Sequence, residues 1–378
     1  MEFMHYFKSR QGEMINLLKE AVHLESPTLD KKAVDKCSDF IIKEFRKIGT
    51  KITRYPQKEI GDFHTVHYPA LKSKIKKETI LVLAHIDTVW PVGRIQNMPF
   101  YLSGQKVFGP GVLDMKAGLI MAIYAIKTLR ELNIEPQKNI LLFINSAEEV
   151  GNEASYEIIR KLARKSEYVL CLEPALPGGG LKIQRKGRLV TRLDVLGKAA
   201  HAGTPDKGTN AIEELMDQLR SLTKLRRTKG TTLNFGLISG GEKANIVAEK
   251  ASATLDMRFW TNVHRQKILD AFKQLKPVRQ GAKIRYSKES STPPMEKTEA
   301  SMKLLSQIRE IAEASLNMPL EAGRTGGGSD ASIASSLGIP TIDGLGPDGE
   351  GIHAENEHLL LPSLVERTAL LTELLRQL

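Results

Sequence analysis

Acidic or imidazole groups follow each of three unbroken apolar runs. His85 follows residues 80–84 (Ile-Leu-Val-Leu-Ala), Glu148 and Glu149 follow residues 140–144 (Ile-Leu-Leu-Phe-Ile) after a short turn, and Glu173 follows residues 168–172 (Tyr-Val-Leu-Cys-Leu). A fourth group, Asp114, ends the stretch Gly109-Pro-Gly-Val-Leu-Asp114 just before a long helical pattern. Apolar runs of this length are typical of buried parallel strands. In an open parallel sheet the carboxyl ends of the strands form the ligand crevice, so polar groups delivered by independent strands meet in one place. A charged group leaving an apolar strand needs a partner, and a metal ion is an efficient one.

Spacing within this set adds chemistry. In His85-Ile-Asp87, residues i and i+2 of an extended segment point the same way. Asp87 can then accept a hydrogen bond from the imidazole nitrogen not bound to metal, fixing its tautomer and orientation. Taken alone, His-x-Asp also suits a polar strand end. The adjacent carboxylates Glu148 and Glu149 repel unless something cationic lies between them, and otherwise one pKa rises. A metal centre satisfies both: one carboxylate ligates while the other takes a proton from water as general base. Taken alone, the pair also suits an acidic helix start. His353 sits in Gly351-Ile-His-Ala-Glu-Asn-Glu357, a glycine-bracketed loop. His5, His23, His64, His67, His264 and His358 lack such context and read as surface or structural.

The elements that must position these groups alternate. Strands at 80–84, 140–144 and 168–172 are interleaved with helical patterns at 115–132 and 156–163, which predicts a doubly wound, mostly parallel α/β sheet. The texture changes at Pro177-Gly-Gly-Gly180. Strand 189–196, helix 210–222, strands 233–238 and 252–259, helix 264–275 and strand 282–286 follow in the order βαββαβ, the ferredoxin-like arrangement. Pro293-Pro294 closes that segment. Helix 301–316, strand 340–342 and helix 362–378 then resume the α/β texture. The organisation expected is a catalytic domain in two parts, 1–184 and 295–378, with a small domain, 185–294, inserted in it.

Bulk composition narrows the partners. A chain of 378 residues is long for one compact domain, which favours two. Its 41% hydrophobic content excludes disorder. The formal charge of +11 reads as a solvated basic face. The densest basic runs, 72–77 and 224–229, look like loops or helix ends and do not interleave with aromatics, so no nucleic-acid partner is expected. Two cysteines, Cys37 and Cys171, make a disulfide framework implausible and point to a reducing compartment. The first eighteen residues have no signal-peptide core. The longest apolar stretch, 119–126, is far too short to span a membrane. A cytoplasmic protein with no membrane partner is expected.

The motifs in order carry a resemblance. Ala84-His-Ile-Asp-Thr-Val89, Gly109-Pro-Gly-Val-Leu-Asp-Met-Lys116, Glu148-Glu149-Val-Gly151, Cys171-Leu-Glu-Pro174 and Gly351-Ile-His-Ala354 resemble the co-catalytic zinc peptidase and deacylase family. That family includes bacterial glutamate carboxypeptidases, acetylornithine deacetylase and succinyl-diaminopimelate desuccinylase. The resemblance covers nearly the whole chain. It implies one metal held by His85, Asp114 and Glu173 and a second held by Asp114, Glu149 and His353, with Asp114 bridging. Glu148 becomes the general base and Asp87 orients His85. The mixed nitrogen and oxygen donors suit two zinc ions per chain, with cobalt or manganese as substitutes.

The same resemblance makes the inserted domain a lid and dimerisation domain. His201, in Lys198-Ala-Ala-His-Ala-Gly203, matches a lid histidine that reaches the active site of the partner subunit and donates to the oxyanion. Asn245 and Arg258 match lid positions that contact substrate. Arg324 precedes Thr325-Gly-Gly-Gly-Ser-Asp330, where free backbone amides around Gly328 at a helix start would favour an anion and an Arg would clamp a carboxylate. No Gly-Lys-Ser/Thr follows, so a nucleotide loop is excluded. Two family positions differ: Ala117 stands where a glycine is frequent after Asp-Met-Lys, and Asn152 where Ser is frequent. The activity implied is hydrolysis of an amide bond beside a free carboxylate, on a small peptide or N-acyl amino acid, in a homodimer. The alternatives are a biosynthetic N-acyl deacylase and, from another class, a catalytically silent metal-bound binding protein. An intact Glu148 and a full ligand set argue against the latter.

Overall fold

The computed structural model describes residues 3–70 and 79–378; the basic run at 72–77 lies outside them. The three apolar runs form the strands Thr79–His85, Asn139–Asn145 and Tyr168–Cys171. Thr79–His85 lies between the other two and is parallel to both, with Ala84 opposite Ile144 and Leu83 opposite Cys171. Thr341–Ile342 adds a fourth parallel strand beyond Tyr168–Cys171. The opposite edge is an antiparallel hairpin, Lys51–Tyr55 and Phe63–Tyr68, joined to Asn139–Asn145. The six-stranded sheet is therefore α/β and mixed, mostly parallel at its centre.

Burial explains the strand pattern. Ile80, Leu81, Val82 and Leu83 are all buried, so this strand meets apolar neighbours on both faces and cannot alternate. The same holds for the Phe63–Tyr68 strand, whose residues are nearly all buried. Its two histidines interrupt the apolar run, and His64 is a buried, structural residue. The helices Phe3–His23, Lys31–Lys47, Ala117–Glu131, Glu299–Leu316 and Leu361–Gln377 supply much of the remaining core. Ala117–Glu131 is buried almost all round, as a helix between two layers must be. At Gly118 an added Cβ would stand 2.7 Å from the Leu172 carbonyl oxygen. Glycine there lets the helix backbone reach the end of the Tyr168–Cys171 strand.

A second, small sheet was not legible in the sequence because its strands are two or three residues long. It runs Gly349–Glu350, His358–Leu360, Lys106–Phe108, Tyr101–Ser103. His358 pairs with Phe108 in antiparallel register. The strand Lys106–Phe108 thereby delivers the chain into the Asp114 turn beside the hairpin whose connection contains His353.

The second compact unit comprises Gln184–Glu296 with Gly326–Gly328. Its elements are Gly187–Leu196, Ala211–Leu222, Thr231–Gly240, Lys250–Phe259, Asn262–Lys273 and Lys283–Thr292. All three strand pairings are antiparallel and the sheet order is Thr231–Gly240, Lys250–Phe259, Gly187–Leu196, Lys283–Thr292. This is the ferredoxin-like βαββαβ arrangement. Its own core gathers Leu193, Leu215, Leu255, Phe259, Ile268 and Phe272. Both helices carry side-chain N-caps, Asn210 accepting from the Ile212 and Glu213 amides and Thr261 from the His264 amide. The ends of the segment meet: the Arg185 amide donates to the Met295 carbonyl at 3.0 Å and the Met295 amide to the Arg185 carbonyl at 3.2 Å. Between Gln184 and Glu296 there are 22 lysines and arginines against 11 aspartates and glutamates. The whole-chain counts are 55 and 44, so the entire positive excess resides in this unit and the rest of the chain is balanced.

Candidate metal centre

His85 ends the central strand, and the strands on its two sides supply Glu148 with Glu149 and Glu173. Asp114 arrives from the turn that leaves Lys106–Phe108. Gly111 in that turn has φ +69°, and a Cβ there would stand 2.5 Å from the Thr88 methyl, so the turn requires glycine. His353 arrives from the connection between Gly349–Glu350 and His358–Leu360 and itself has φ +60°. A non-glycine residue held in this region is a strained position of the kind that accumulates at functional sites.

These six side chains converge. His85 Nε2 lies 3.1 Å from Asp114 Oδ1 and 3.6 Å from Glu173 Oε1. His353 Nε2 lies 3.4 Å from Asp114 Oδ2 and 3.1 Å from Glu149 Oε2. Asp114 thus turns one oxygen to each imidazole. Ligand atoms of His85, Asp114 and Glu149 lie within 4.8 Å of one another, as do those of His85, Glu148 and Glu173.

Charge in this space is unbalanced. Burial raises the Glu148 carboxyl well above its ordinary value, and the neighbouring Glu173 raises it further. Burial also raises Glu149, against the pull of His353. Both imidazoles move the other way. Burial opposes protonation of His85, yet its bonds to Asp114 and Asp87 win and its pKa rises. Asp114 and Glu149 lift His353 to about 10. Glu148 and Glu149 resist ionising while Asp114 stays ionised between two imidazoles that hold protons; a buried pocket with more carboxylates than cations calls for cationic charge. Carboxylate oxygens and imidazole nitrogens are also the donors that borderline divalent metals take. The residues therefore fit a metal centre.

Asp87 differs from expectation. The nearest acceptor for His85 Nδ1 is the Asp87 backbone carbonyl at 3.0 Å, with the carboxylate at 3.5 Å. The tautomer is fixed as expected, with Nε2 facing the carboxylates, but chiefly through main chain. The Asp87 carboxylate instead accepts from Thr28 Oγ1 at 2.7 Å and from the Glu148 and Glu149 amides at 3.2 Å each. It sets the turn that carries both glutamates.

Other residues here escaped the sequence reading. Lys116 is buried, and its Nζ donates to the Ala21 and Leu24 carbonyls at 2.9 Å each. It ties the turn after Asp114 to the end of helix Phe3–His23. Asp330 is buried and accepts from Asn145 Nδ2 at 2.7 Å, and burial lifts its carboxyl to about 6. Glu357 is buried under the Asp114 turn; burial lifts its carboxyl to about 7, against the pull of its N–H donors. A carboxylate at the end of a glycine-bracketed histidine loop was the only signal available for it.

Of the residues expected at substrate, His201, Asn245 and Arg258 belong to the second unit. His201 and Asn245 are exposed and adjacent: His201 bridges to Ile246, and the Ala202 amide donates to the Asn245 carbonyl at 3.0 Å. Arg258 is held by Asp256 at 2.8 Å, and Arg188 binds the same carboxylate at 2.7 Å. Arg324 is exposed on the strand Ala322–Thr325. The following helix, Ala331–Ser335, is a single short turn; Ser329 Oγ accepts from the Ala331 amide, and the Ser332 and Ile333 amides are also bonded. Gly328 also offers its carbonyl, accepting from Arg185 Nη1 at 2.7 Å.

Residues 81–377 match the model of peptidase family M20/M25/M40. The chain belongs to that family. It is accordingly a hydrolase of the metallopeptidase or amidohydrolase type. Carboxypeptidase G2 of Pseudomonas sp. is 29% identical over 367 residues, covering 94% of this chain and 87% of its own length. Succinyl-diaminopimelate desuccinylase of Coxiella burnetii is 22% identical over 375 residues, covering 94% of this chain and 97% of its own. Among solved structures, aminopeptidase PepT from Bacillus cereus superposes with a TM-score of 0.80 over 97% of this chain and 98% of its own, at 23% identity, a likeness of fold. Among the described residues, no helix is long and apolar enough to cross a membrane.

Proposed function

We propose that this M20-family chain uses two zinc ions to hydrolyse an amide bond beside a free carboxylate, on peptidyl or N-acyl amino acids, in the manner of a glutamate carboxypeptidase. One observation carries the reading: Asp114 turns its two oxygens to two imidazoles, each of which has a further carboxylate beside it. His85, Asp114 and Glu173 hold one ion and Asp114, Glu149 and His353 the other, with cobalt or manganese able to substitute. Bound there, the pair supplies Lewis-acid polarisation of the scissile carbonyl and acidifies water. Glu148, its carboxyl raised well above its ordinary value by burial and Glu173, takes the proton of the attacking water and passes it to the leaving amine. Asp87 holds the Glu148 and Glu149 amides and keeps their roles apart.

Arg324 is the carboxylate clamp in this reading, with Asn245, Arg258 and Gly328 as further substrate contacts. Arg258 reaches substrate only by leaving Asp256. The similarity to carboxypeptidase G2, higher than that to the desuccinylase, supports the carboxypeptidase branch. Expected first is a strong preference for free-acid over α-amidated substrates, and for N-acyl or peptidyl glutamate over N-acetylornithine. Arg324→Ala should lose activity with its metals kept, and Arg324→Lys should recover little, because a point charge does not replace the planar fork. Equal wild-type rates on acid and amide would remove the clamp. A preference for N-acetylornithine would move the chain to the biosynthetic deacylases.

The chain is read as a cytoplasmic homodimer formed through the inserted unit, with no nucleic-acid or membrane partner. His201, far in sequence from every ligand and exposed at its own surface, serves the neighbouring subunit. Mixing His201→Ala with Glu148→Gln under subunit exchange is expected to restore activity, since one site of the hybrid then combines both intact residues. Proven heterodimers without activity would defeat the trans role.

A further inference from the structure

We infer that Glu357 is the positioning residue that joins the two ligand-bearing loops, 109–114 and 351–357, into one unit. Its side chain is 1% exposed. Oε2 accepts from Trp90 Nε1 and from the Gly111 amide, each at 2.9 Å. Oε1 accepts from the Leu113 amide at 2.9 Å and from the Asp114 amide at 3.1 Å. The Glu357 carbonyl accepts in addition from the Gly109 amide at 3.4 Å. Four main-chain amides between residues 109 and 114 therefore end on this one residue.

The other side of the clamp is the His353 loop. The Ala354 amide donates to Gly351 O at 2.8 Å, and the Glu357 amide to Ala354 O at 3.0 Å. Two successive turns thus fix His353 relative to Glu357, and Glu357 fixes the turn ending at Asp114. Asp114 and His353 are the pair whose facing atoms stand 3.4 Å apart. The His353 loop hangs between strands of two and three residues, and the Asp114 turn is entered from a strand of three. The carboxylate supplies what those strands lack. Groups behind a metal's direct ligands set ligand orientation, and losing one typically costs roughly 10–100-fold in metal affinity.

The chemistry makes a shape-conserving test decisive. Each carboxylate oxygen receives two N–H groups, so Glu357→Gln turns an NH2 against two donors whichever way the amide is oriented. Glu357→Asp keeps both acceptor oxygens on a stem one methylene shorter. The metal part of this inference rests on the two-metal reading; the clamp part does not. Two measurements separate them, both made above neutral pH. In metal-free protein, amide exchange at Gly111, Leu113 and Asp114 is expected to be at least about tenfold faster in Glu357→Gln, with the Thr79–His85 strand unchanged. In a cobalt titration followed by absorption, Glu357→Gln is expected to bind roughly 10–100-fold more weakly, with Glu357→Asp recovering part of the loss. If Glu357→Gln does not fold, Trp90→Phe removes one of the four donors and should move both readouts less, in the same direction. Unchanged exchange at the three amides in a folded variant overturns the clamp, as does an equal acceleration in the Thr79–His85 strand. Faster exchange with no cobalt bound by wild type keeps the clamp and defeats the metal reading. Faster exchange with unaltered cobalt affinity overturns the link to the ligands.

Discussion

Glu148→Gln is expected to keep its full complement of metal and to lose turnover by roughly two to four orders of magnitude, the usual cost of removing positioned acid–base help. The substitution is nearly isosteric, and the Glu148 amide that Asp87 holds at 3.2 Å is main chain and stays. What disappears is a group that can exchange a proton. Glu149→Gln is expected to behave differently. Glu149 Oε2 faces His353 Nε2 at 3.1 Å, so this change should weaken metal binding, and activity should return in part at high metal concentration. Metal analysis of both variants beside their turnover numbers makes the comparison. Normal activity in Glu148→Gln would refute the assignment. Loss of metal from Glu148→Gln with retention in Glu149→Gln would exchange the two roles, a real possibility because Glu148 also stands with His85 and Glu173.

Asp114→Ala is expected to lose both metals, whereas His353→Ala should mainly empty one position. Asp114 is buried, with its two oxygens committed to different imidazoles. Removing it takes a ligand from each set, and His85 and His353 lose their shared counter-charge. His353 is half exposed, and its removal leaves His85, Asp114 and Glu173 in place. The readout need not be catalytic. A metal that binds only the folded state raises the unfolding temperature with concentration. That rise should be absent in Asp114→Ala and smaller than wild type in His353→Ala. Two equivalents of metal retained in Asp114→Ala would end the bridging role.

The parallel core and its polar strand ends were legible because one physical rule governs both. A strand buried on two faces must be apolar throughout, so the first charged group after it marks where the strand leaves the sheet. His85, Glu148, Glu149 and Glu173 all obey that rule. The Lys51–Tyr55 and Phe63–Tyr68 hairpin did not yield to it, because His64 and His67 interrupt the second strand. The small sheet under the Asp114 turn escaped for another reason: three-residue strands carry no periodicity to detect. Glu357 escaped with it. Three of its four donors are main-chain amides, which leave no trace in side-chain identity. Asp87 was found for its neighbour His85, yet most of what its carboxylate does lies more than fifty residues away, at Thr28 and at the Glu148–Glu149 turn. At the Gly328 loop the glycine-rich run gave no sign that its carbonyls would receive Arg185.

The paired amides of Arg185 and Met295 bear on how this chain finds its fold. Val169 and Thr341 are neighbours in the parallel sheet although the whole inserted segment separates them in sequence. Without a closure, that pairing would be among the most non-local in the molecule, and non-local pairings are slow to form. Because the insertion draws its own two ends together, the outer chain experiences it as a tight junction rather than a long tether. The entropy of joining the distant strands is then met largely inside the ferredoxin-like unit, where a separate core repays it. Loop-closure entropy also rises only by about 0.6 kcal/mol for each doubling of length. Length within the insertion is therefore nearly free to vary without disturbing the outer sheet.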